Sequence, residues 1–354
     1  MHSQLARIRA ALGDTEVLLL TDPISVRYAS GFALTDGAAL IGREEAWLIT
    51  DSRYEEAARA AVADMQILLA DAATPLRAHL GALLQRLAPA SLGAEAARMS
   101  HADWDRLQTA LGVPFHAADR ILADLRASKT EEELACLIEA QRISERALDD
   151  ILGLLRPGLT EQQVAAELVY RLYKYGGEAN SFDPIVVTGS KTSLPHGVPG
   201  GNVIAPGDFV TMDFGTMKNG YCSDMTRTVA IGSADDEMRR VYSVVAEAQL
   251  AGIEAAHAGV RGCDVDAAAR RVIERAGYGA YFGHSFGHSL GLEIHESPNA
   301  SPRCEEPLPP GAVISAEPGI YLPGRFGVRI EDVLWLGPNG TVNITRAPKQ
   351  LLVL

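Results

Sequence analysis

Along the first third of the chain, apolar residues occur in short runs separated by helical spacings. Residues 17–20 form an apolar run closed by Thr21-Asp22-Pro23, the pattern of a buried strand followed by a turn. Residues 46–50 repeat it, and Asp51-Ser52 leads into a helical stretch over 54–62. A further helix is expected over 74–87, and Leu92-Gly93-Ala94-Glu95 reads as another strand. This alternation predicts an α/β domain over residues 1–125. It holds no cluster of metal-ligand residue types, so a supporting or assembly role is expected of it.

The pattern changes at residue 130. Thr130-Glu131-Glu132-Glu133 is a capping box with acid in the first turn. Leu134, Leu137, Ile138, Leu148, Ile151, Leu154 and Leu155 then keep a helical period until Pro157-Gly158. Thr160 and Gln163 open a second helix, closed by Gly176-Gly177, and apolar strand runs follow over 209–214 and 221–231. The second half repeats this plan, with helices expected over about 236–257 and 264–276. Residues 206–215 align without gaps on residues 310–319 at an offset of 104, matching Pro-Gly, an apolar run, a carboxylate and a closing glycine. Two ordinary strands could match by chance, but the preceding helix pairs match as well. An internal duplication spanning residues 126–354 is therefore expected, each half bringing one carboxylate-bearing hairpin to a shared centre.

Asp213 and Asp224 flank Met217-Lys218-Asn219-Gly220. A turn centred on Lys218-Asn219 would pair positions summing to 437, which places the two carboxylates opposite each other. Glu317 and Glu331, whose positions sum to 648, repeat the logic around Leu322-Pro323-Gly324-Arg325. Opposed carboxylates repel, and solvent, a shared proton or a cation must offset that. Apolar flanks favour burial and so a divalent cation. Residues 283–296 add His284, His288 and His295, spaced by four and seven. One face of a zincin-like helix would also give that spacing. Glycines at 283, 287 and 291 oppose it, since each weakens a helix by roughly 1 kcal/mol, so extended backbone is expected.

Composition narrows the partners. A chain of 354 residues, 47% hydrophobic and 22% charged, can bury two cores. A net charge of −13 argues against nucleic acid and anionic membrane as partners, since both need a basic footprint. The four cysteines form no CxxC pair, no segment has the length of a membrane span, and Met1 to Arg7 carries no signal-peptide pattern. A reduced, cytoplasmic protein is expected.

Several motifs together resemble the creatinase, prolidase and aminopeptidase P family of pita-bread metallopeptidases. They are Leu194-Pro195-His196-Gly197, Met212-Asp213-Phe214-Gly215, the stretch Gly220 through Arg227, Gly287-His288 with His295-Glu296, Glu317-Pro318-Gly319 and Val328 through Asp332. Val26-Arg27-Tyr28 and Thr50 through Tyr54 resemble the family's N-terminal domain. The resemblance implies an α+β pita-bread catalytic domain over 126–354, preceded by a creatinase-like α/β domain over 1–125. It implies two divalent metals per subunit, manganese preferred with zinc or cobalt as alternatives. Asp213 would chelate one metal, Asp224 and Glu331 would bridge both, and His288 and Glu317 would hold the second. Glu317 would also orient a water, while His196 and His295 would donate hydrogen bonds to the intermediate and the leaving group. His284 and Arg329 match positions near the substrate, and Arg329 is equally a candidate ion-pair partner. The implied reaction is hydrolysis of an Xaa-Pro bond at a free amino terminus, in a homodimer or higher homo-oligomer. The form of residues 220–224 resembles small bacterial aminopeptidases P, so an Xaa-Pro aminopeptidase is expected. Xaa-Pro dipeptidase is the alternative, and a non-catalytic peptide-binding pita-bread module is the reading from another class. Methionine aminopeptidase is disfavoured by the N-terminal domain and the glutamate spacing, and creatinase by the presence of every metal ligand.

Overall fold

The computed structural model describes residues 4–354, so the first three residues of the N-terminal stretch lie outside it. The chain divides into two compact units, Met1–Arg126 and Ala127–Leu354.

The first unit is built on six strands: β1 Val17–Leu20, β2 Gly37–Gly42, β3 Ala46–Thr50, β4 Gln66–Leu69, β5 Leu92–Ala94 and β6 Phe115–Ala117. They lie in the order β4-β3-β2-β1-β5-β6. β1 pairs antiparallel with β2 and parallel with β5. The apolar runs at 17–20 and 46–50 form β1 and β3, buried along their whole length. β2, β4 and β6 were not legible. The sequence Gly-Ala-Ala-Leu-Ile-Gly has little intrinsic strand preference, and pairing between β1 and β3 imposes the conformation. Helices Glu55–Ala61 and Leu76–Leu87 match the expected ones, and Trp47, Leu80 and Leu84 pack in the core beneath the sheet.

In the second unit the two capping boxes form as read. Thr130 and Glu133 start the helix Glu131–Leu152, and Thr160 and Gln163 start Glu161–Lys174. Next come β7 Ile185–Thr188, β8 Phe209–Phe214, β9 Met217–Lys218, β10 Tyr221–Cys222 and β11 Met225–Ala230. Helices Asp236–Ala255 and Gly262–Arg275 open the second half. It continues with β12 Gly287–Ser289, β13 Glu296–Ala300, β14 Val313–Ala316, β15 Gly319–Leu322, β16 Phe326–Arg329, β17 Asp332–Gly337 and β18 Gly340–Asn343. The halves make sheets ordered β11-β8-β7 and β13-β12-β14-β17-β18, each covered by its own helix pair. Leu148, Val164 and Leu168 pack on Val210 and Met212, while Val241, Val265 and Ala269 pack on Ile314 and Leu334. These are the duplicated halves of a pita-bread fold. No helix among the described residues is long and apolar enough to cross a membrane.

Register confirms one hairpin expectation and corrects the other. β14 pairs with β17 and β15 with β16 in one continuous register, Ala316 opposite Asp332 and Gly319 opposite Arg329, which sets Glu317 against Glu331. In the first half, Lys218 pairs with Tyr221 and Asp213 with Thr226, not with Asp224. The turn centres on Asn219-Gly220, whose φ angles of 51° and 83° are those of a type I′ turn. Asn-Gly takes the two central positions because both require positive φ, and this shifts the partner of Asp213 by two residues. Asp213 and Asp224 reach the same centre as diagonal neighbours.

Candidate metal centre

All nine residues singled out in the sequence line one cavity of about 510 Å³: His196, Asp213, Asp224, His284, His288, His295, Glu317, Arg329 and Glu331. Strand ends deliver them. Asp213 lies within β8, while Asp224, Glu317 and Glu331 lie just outside strands, where the backbone can turn a side chain inward. His288 lies on β12, so the zincin-like helix does not form; the expected extended backbone holds at 287–289 and gives way to a bent loop over 291–295, which carries His295. Gly287 allows the strand: a Cβ there would stand 2.0 Å from the Ser315 carbonyl oxygen.

Asp224, His288 and Glu331 each turn a ligand atom into a cluster within 4.8 Å of one another. His288 Nε2 is 3.5 Å from Asp224 Oδ2 and 3.3 Å from Glu317 Oε1. Its Nδ1 faces the Ser289 carbonyl at 3.1 Å, and a carbonyl only accepts, so Nδ1 carries the proton. That leaves the Nε2 lone pair directed at the carboxylates, the tautomer a metal ligand needs. Ser315 Oγ donates to Glu317 Oε1 at 2.9 Å and accepts from the His288 amide at 3.0 Å, fixing both residues.

A second set of contacts crosses between the halves. Arg329, 4% exposed, donates to Asp213 Oδ2 at 2.6 Å, to the Tyr321 hydroxyl at 2.7 Å and to Thr226 Oγ1 at 3.0 Å. Thr226 Oγ1 in turn donates to Glu331 Oε2 at 2.7 Å. Arg329 is thus the ion-pair partner considered in the sequence. Tyr321 also contacts His284 Nε2 at 2.9 Å. Tyr321 carried no signal in the sequence, and Thr226 stood in the Gly220–Arg227 motif without a role of its own, since each gains its partners only through tertiary contact.

The donor set fits divalent metal. Asp213 Oδ1, Asp224 Oδ1 and Glu331 Oε1 are buried without a hydrogen-bond partner, an expensive condition for a carboxylate unless a cation faces it. Burial, then the charge of neighbouring carboxylates, pushes the Asp224 and Glu331 carboxyls well above the ordinary range. Burial also raises Glu317 and holds the His288 imidazole below its usual value. Oxygen-rich ligation with one imidazole suits manganese and admits zinc. The rings of His288 and His295 meet edge to face at 4.4 Å. Burial first, then the neighbouring His288, lowers the His295 pKa.

Residues 135–338 match metallopeptidase family M24, and residues 4–128 match the creatinase/prolidase N-terminal domain. The chain belongs to this creatinase, prolidase and aminopeptidase P family and is a metallopeptidase. It is 41% identical to an Xaa-Pro dipeptidase of Pyrococcus furiosus, over 67% of this chain and 68% of that one. The solved structure of an Xaa-Pro dipeptidase from Bacillus anthracis superposes with a TM-score of 0.95 at 39% identity, covering 99% of both chains. An X-Pro aminopeptidase from Thermotoga maritima superposes at 0.93 with 36% identity, over 98% of this chain and all of that one.

Proposed function

We propose that this protein is a cytoplasmic Xaa-Pro dipeptidase with a dinuclear centre held by Asp213, Asp224, His288, Glu317 and Glu331. The observation that carries the reading is the convergence of these five groups with three unpartnered buried carboxylate oxygens among them. Two divalent ions bound there, manganese by preference, supply a water of lowered pKa and polarise the scissile carbonyl.

The chain's own residues do the rest. Glu317, held by Ser315, orients the water and accepts its proton. His196 and His295 stand on the cavity wall and donate hydrogen bonds to the tetrahedral oxyanion and to the departing proline nitrogen. Arg329 and Thr226 fix one oxygen each of Asp213 and Glu331, leaving the other oxygen of each free for a cation.

The preference for dipeptides reverses the expectation of an aminopeptidase and rests on the relatives named Xaa-Pro dipeptidase. One observation favours the second reading, an Xaa-Pro aminopeptidase. Arg329 is the single Arg or Lys among the described residues lining the cavity, and it is committed to Asp213 and Tyr321. A dipeptide's carboxylate therefore finds no free cation on these walls. Hydrolysis of an Xaa-Pro dipeptide and an Xaa-Pro-Yaa tripeptide, both with manganese, decides between them. Faster cleavage of the dipeptide is expected; cleavage of the tripeptide alone sinks the dipeptidase reading.

A further inference from the structure

Outside the cavity, the catalytic unit buries ion pairs that the chemistry above does not use, Arg227 with Asp332 and Lys129 with Glu296 among them. Lys129 Nζ donates to Glu296 Oε2 at 3.0 Å, and the two side chains are 1% and 4% exposed. A pair taken so far from water is weak evidence for stability, because the cost of desolvation offsets most of the attraction. What distinguishes this one is its location. Glu296 follows His295 directly, and Lys129 lies just before the Thr130 cap of the helix Glu131–Leu152, with its amide bonded to the Gly311 carbonyl at 3.0 Å.

The Glu296 carboxylate folds back under the loop that carries His295. Its Oε1 accepts the Glu293 amide at 3.2 Å. A Cβ on Gly291 would lie 2.6 Å from both carboxylate oxygens, so a side chain there would displace the Glu296 carboxylate. Gly291 closes the loop, donating to the Glu293 carbonyl at 2.9 Å and accepting from the Cys222 amide at 2.7 Å. The loop is therefore wrapped around one carboxylate, and Lys129 holds that carboxylate from below.

We propose that Lys129 is a positioning residue for His295: by pinning Glu296 it fixes the 291–296 loop and keeps the His295 imidazole against His288 on the cavity wall. This rests on the role given to His295 above. Without Lys129 the buried Glu296 carboxylate loses the cation that holds it, so it moves toward water and takes the loop with it.

The test uses the metal-loaded full chain. Lys129→Met is expected to lower kcat about a hundredfold, the scale of an ångström-sized misplacement. KM should stay within about threefold and metal content should not change. Amide exchange at Glu293 should quicken, and Lys129→Arg should recover most of the turnover. Glu296→Gln, which preserves the side-chain shape and serves if Lys129→Met does not fold, should lose turnover in the same direction by a smaller factor. In a His295→Ala background, either variant should cause no further loss. Wild-type kcat in Lys129→Met and Glu296→Gln overturns the proposal, as does a fall in kcat that tracks lost metal. If His295→Ala is impaired and the added substitution multiplies the loss in full, positioning through His295 is wrong while the role of His295 stands. If His295→Ala turns over normally, the reading of His295 fails first and the proposal with it.

Discussion

In the first half of the catalytic unit, Asp213 sits inside the β8–β11 ladder and Asp224 in the gap between β10 and β11. In the second half, Glu317 and Glu331 both lie in gaps, between β14 and β15 and between β16 and β17. The difference follows from the turns. The first hairpin closes tightly on Asn219-Gly220, whereas the second runs out along β15 and β16 to a turn at Gly324. The gap residues leave their own ladders for other partners, the Glu317 amide donating to the Phe286 carbonyl at 2.8 Å and the Glu331 amide to the Thr226 carbonyl at 3.1 Å. Asp213, held in a ladder, is aimed by a side chain from the other half, Arg329. The duplicated halves therefore supply equivalent carboxylates by different means, and substitutions in the two hairpins should fail differently.

The largest effect is expected for Asp224→Asn, which removes a carboxylate from the centre of the cluster. Metal retained after dialysis should fall, and kcat/KM should drop on the order of a thousandfold, the scale of losing a main electrostatic group. Stoichiometric metal with near-normal turnover would mean that Asp224 is not a ligand.

Arg329→Met tests the ladder-held carboxylate. Breaking a buried pair from one side should destabilise the metal-free protein by about 3 kcal/mol in urea unfolding. Metal should restore part of this, since a cation also neutralises Asp213. Equal losses with and without metal would separate Arg329 from the metal centre.

The effect of pH follows from the raised carboxyls. Burial lifts Asp224, Glu317 and Glu331 above their unfolded values. Below the unfolded value of about 4, both states hold the protons and these groups contribute no pH dependence. As pH rises above it, the unfolded chain ionises first, so stability is lost until the folded carboxyls also ionise. The lowered imidazoles of His284, His288 and His295 act in the opposite sense over the same range, so the carboxyl part is read by difference: between about pH 5 and pH 8, metal-free Glu331→Gln should lose less, or gain more, melting temperature than wild type. Added manganese should raise the melting temperature more at the higher pH. Identical slopes for wild type and Glu331→Gln in chelator would exclude Glu331 from the effect.

The smallest effect is expected at the turn. Asn219 holds φ at 51°, and Asn219→Ala should cost about 1 kcal/mol of stability, with little change in metal content. A loss of metal at this site would show that the turn fixes Asp224 as well as the register.

Much of this architecture was legible in the chain. The Thr130 and Thr160 caps begin helices where they were read, and the 104-residue offset marks two halves with separate cores. All nine candidate site residues share one cavity. The error over Asp213 and Asp224 came from placing the turn one residue early, although Asn-Gly itself requires both central positions. The contacts of Tyr321, Thr226 and Lys129 left no local signal, because their partners lie far along the chain or across a hairpin. β2 was missed because its glycine- and alanine-rich sequence becomes a strand only between its neighbours.

The exchange between the halves has a consequence for how the gene can vary. Thr226 of the first half holds Glu331 of the second, and Arg329 of the second holds Asp213 of the first. Neither copy of the ancestral repeat can drift at these positions without a compensating change in the other. Two fragments produced separately would each carry carboxylates that only the other can restrain. Such fragments should remain inert alone and regain catalysis on mixing, which makes complementation a direct readout of this mutual dependence.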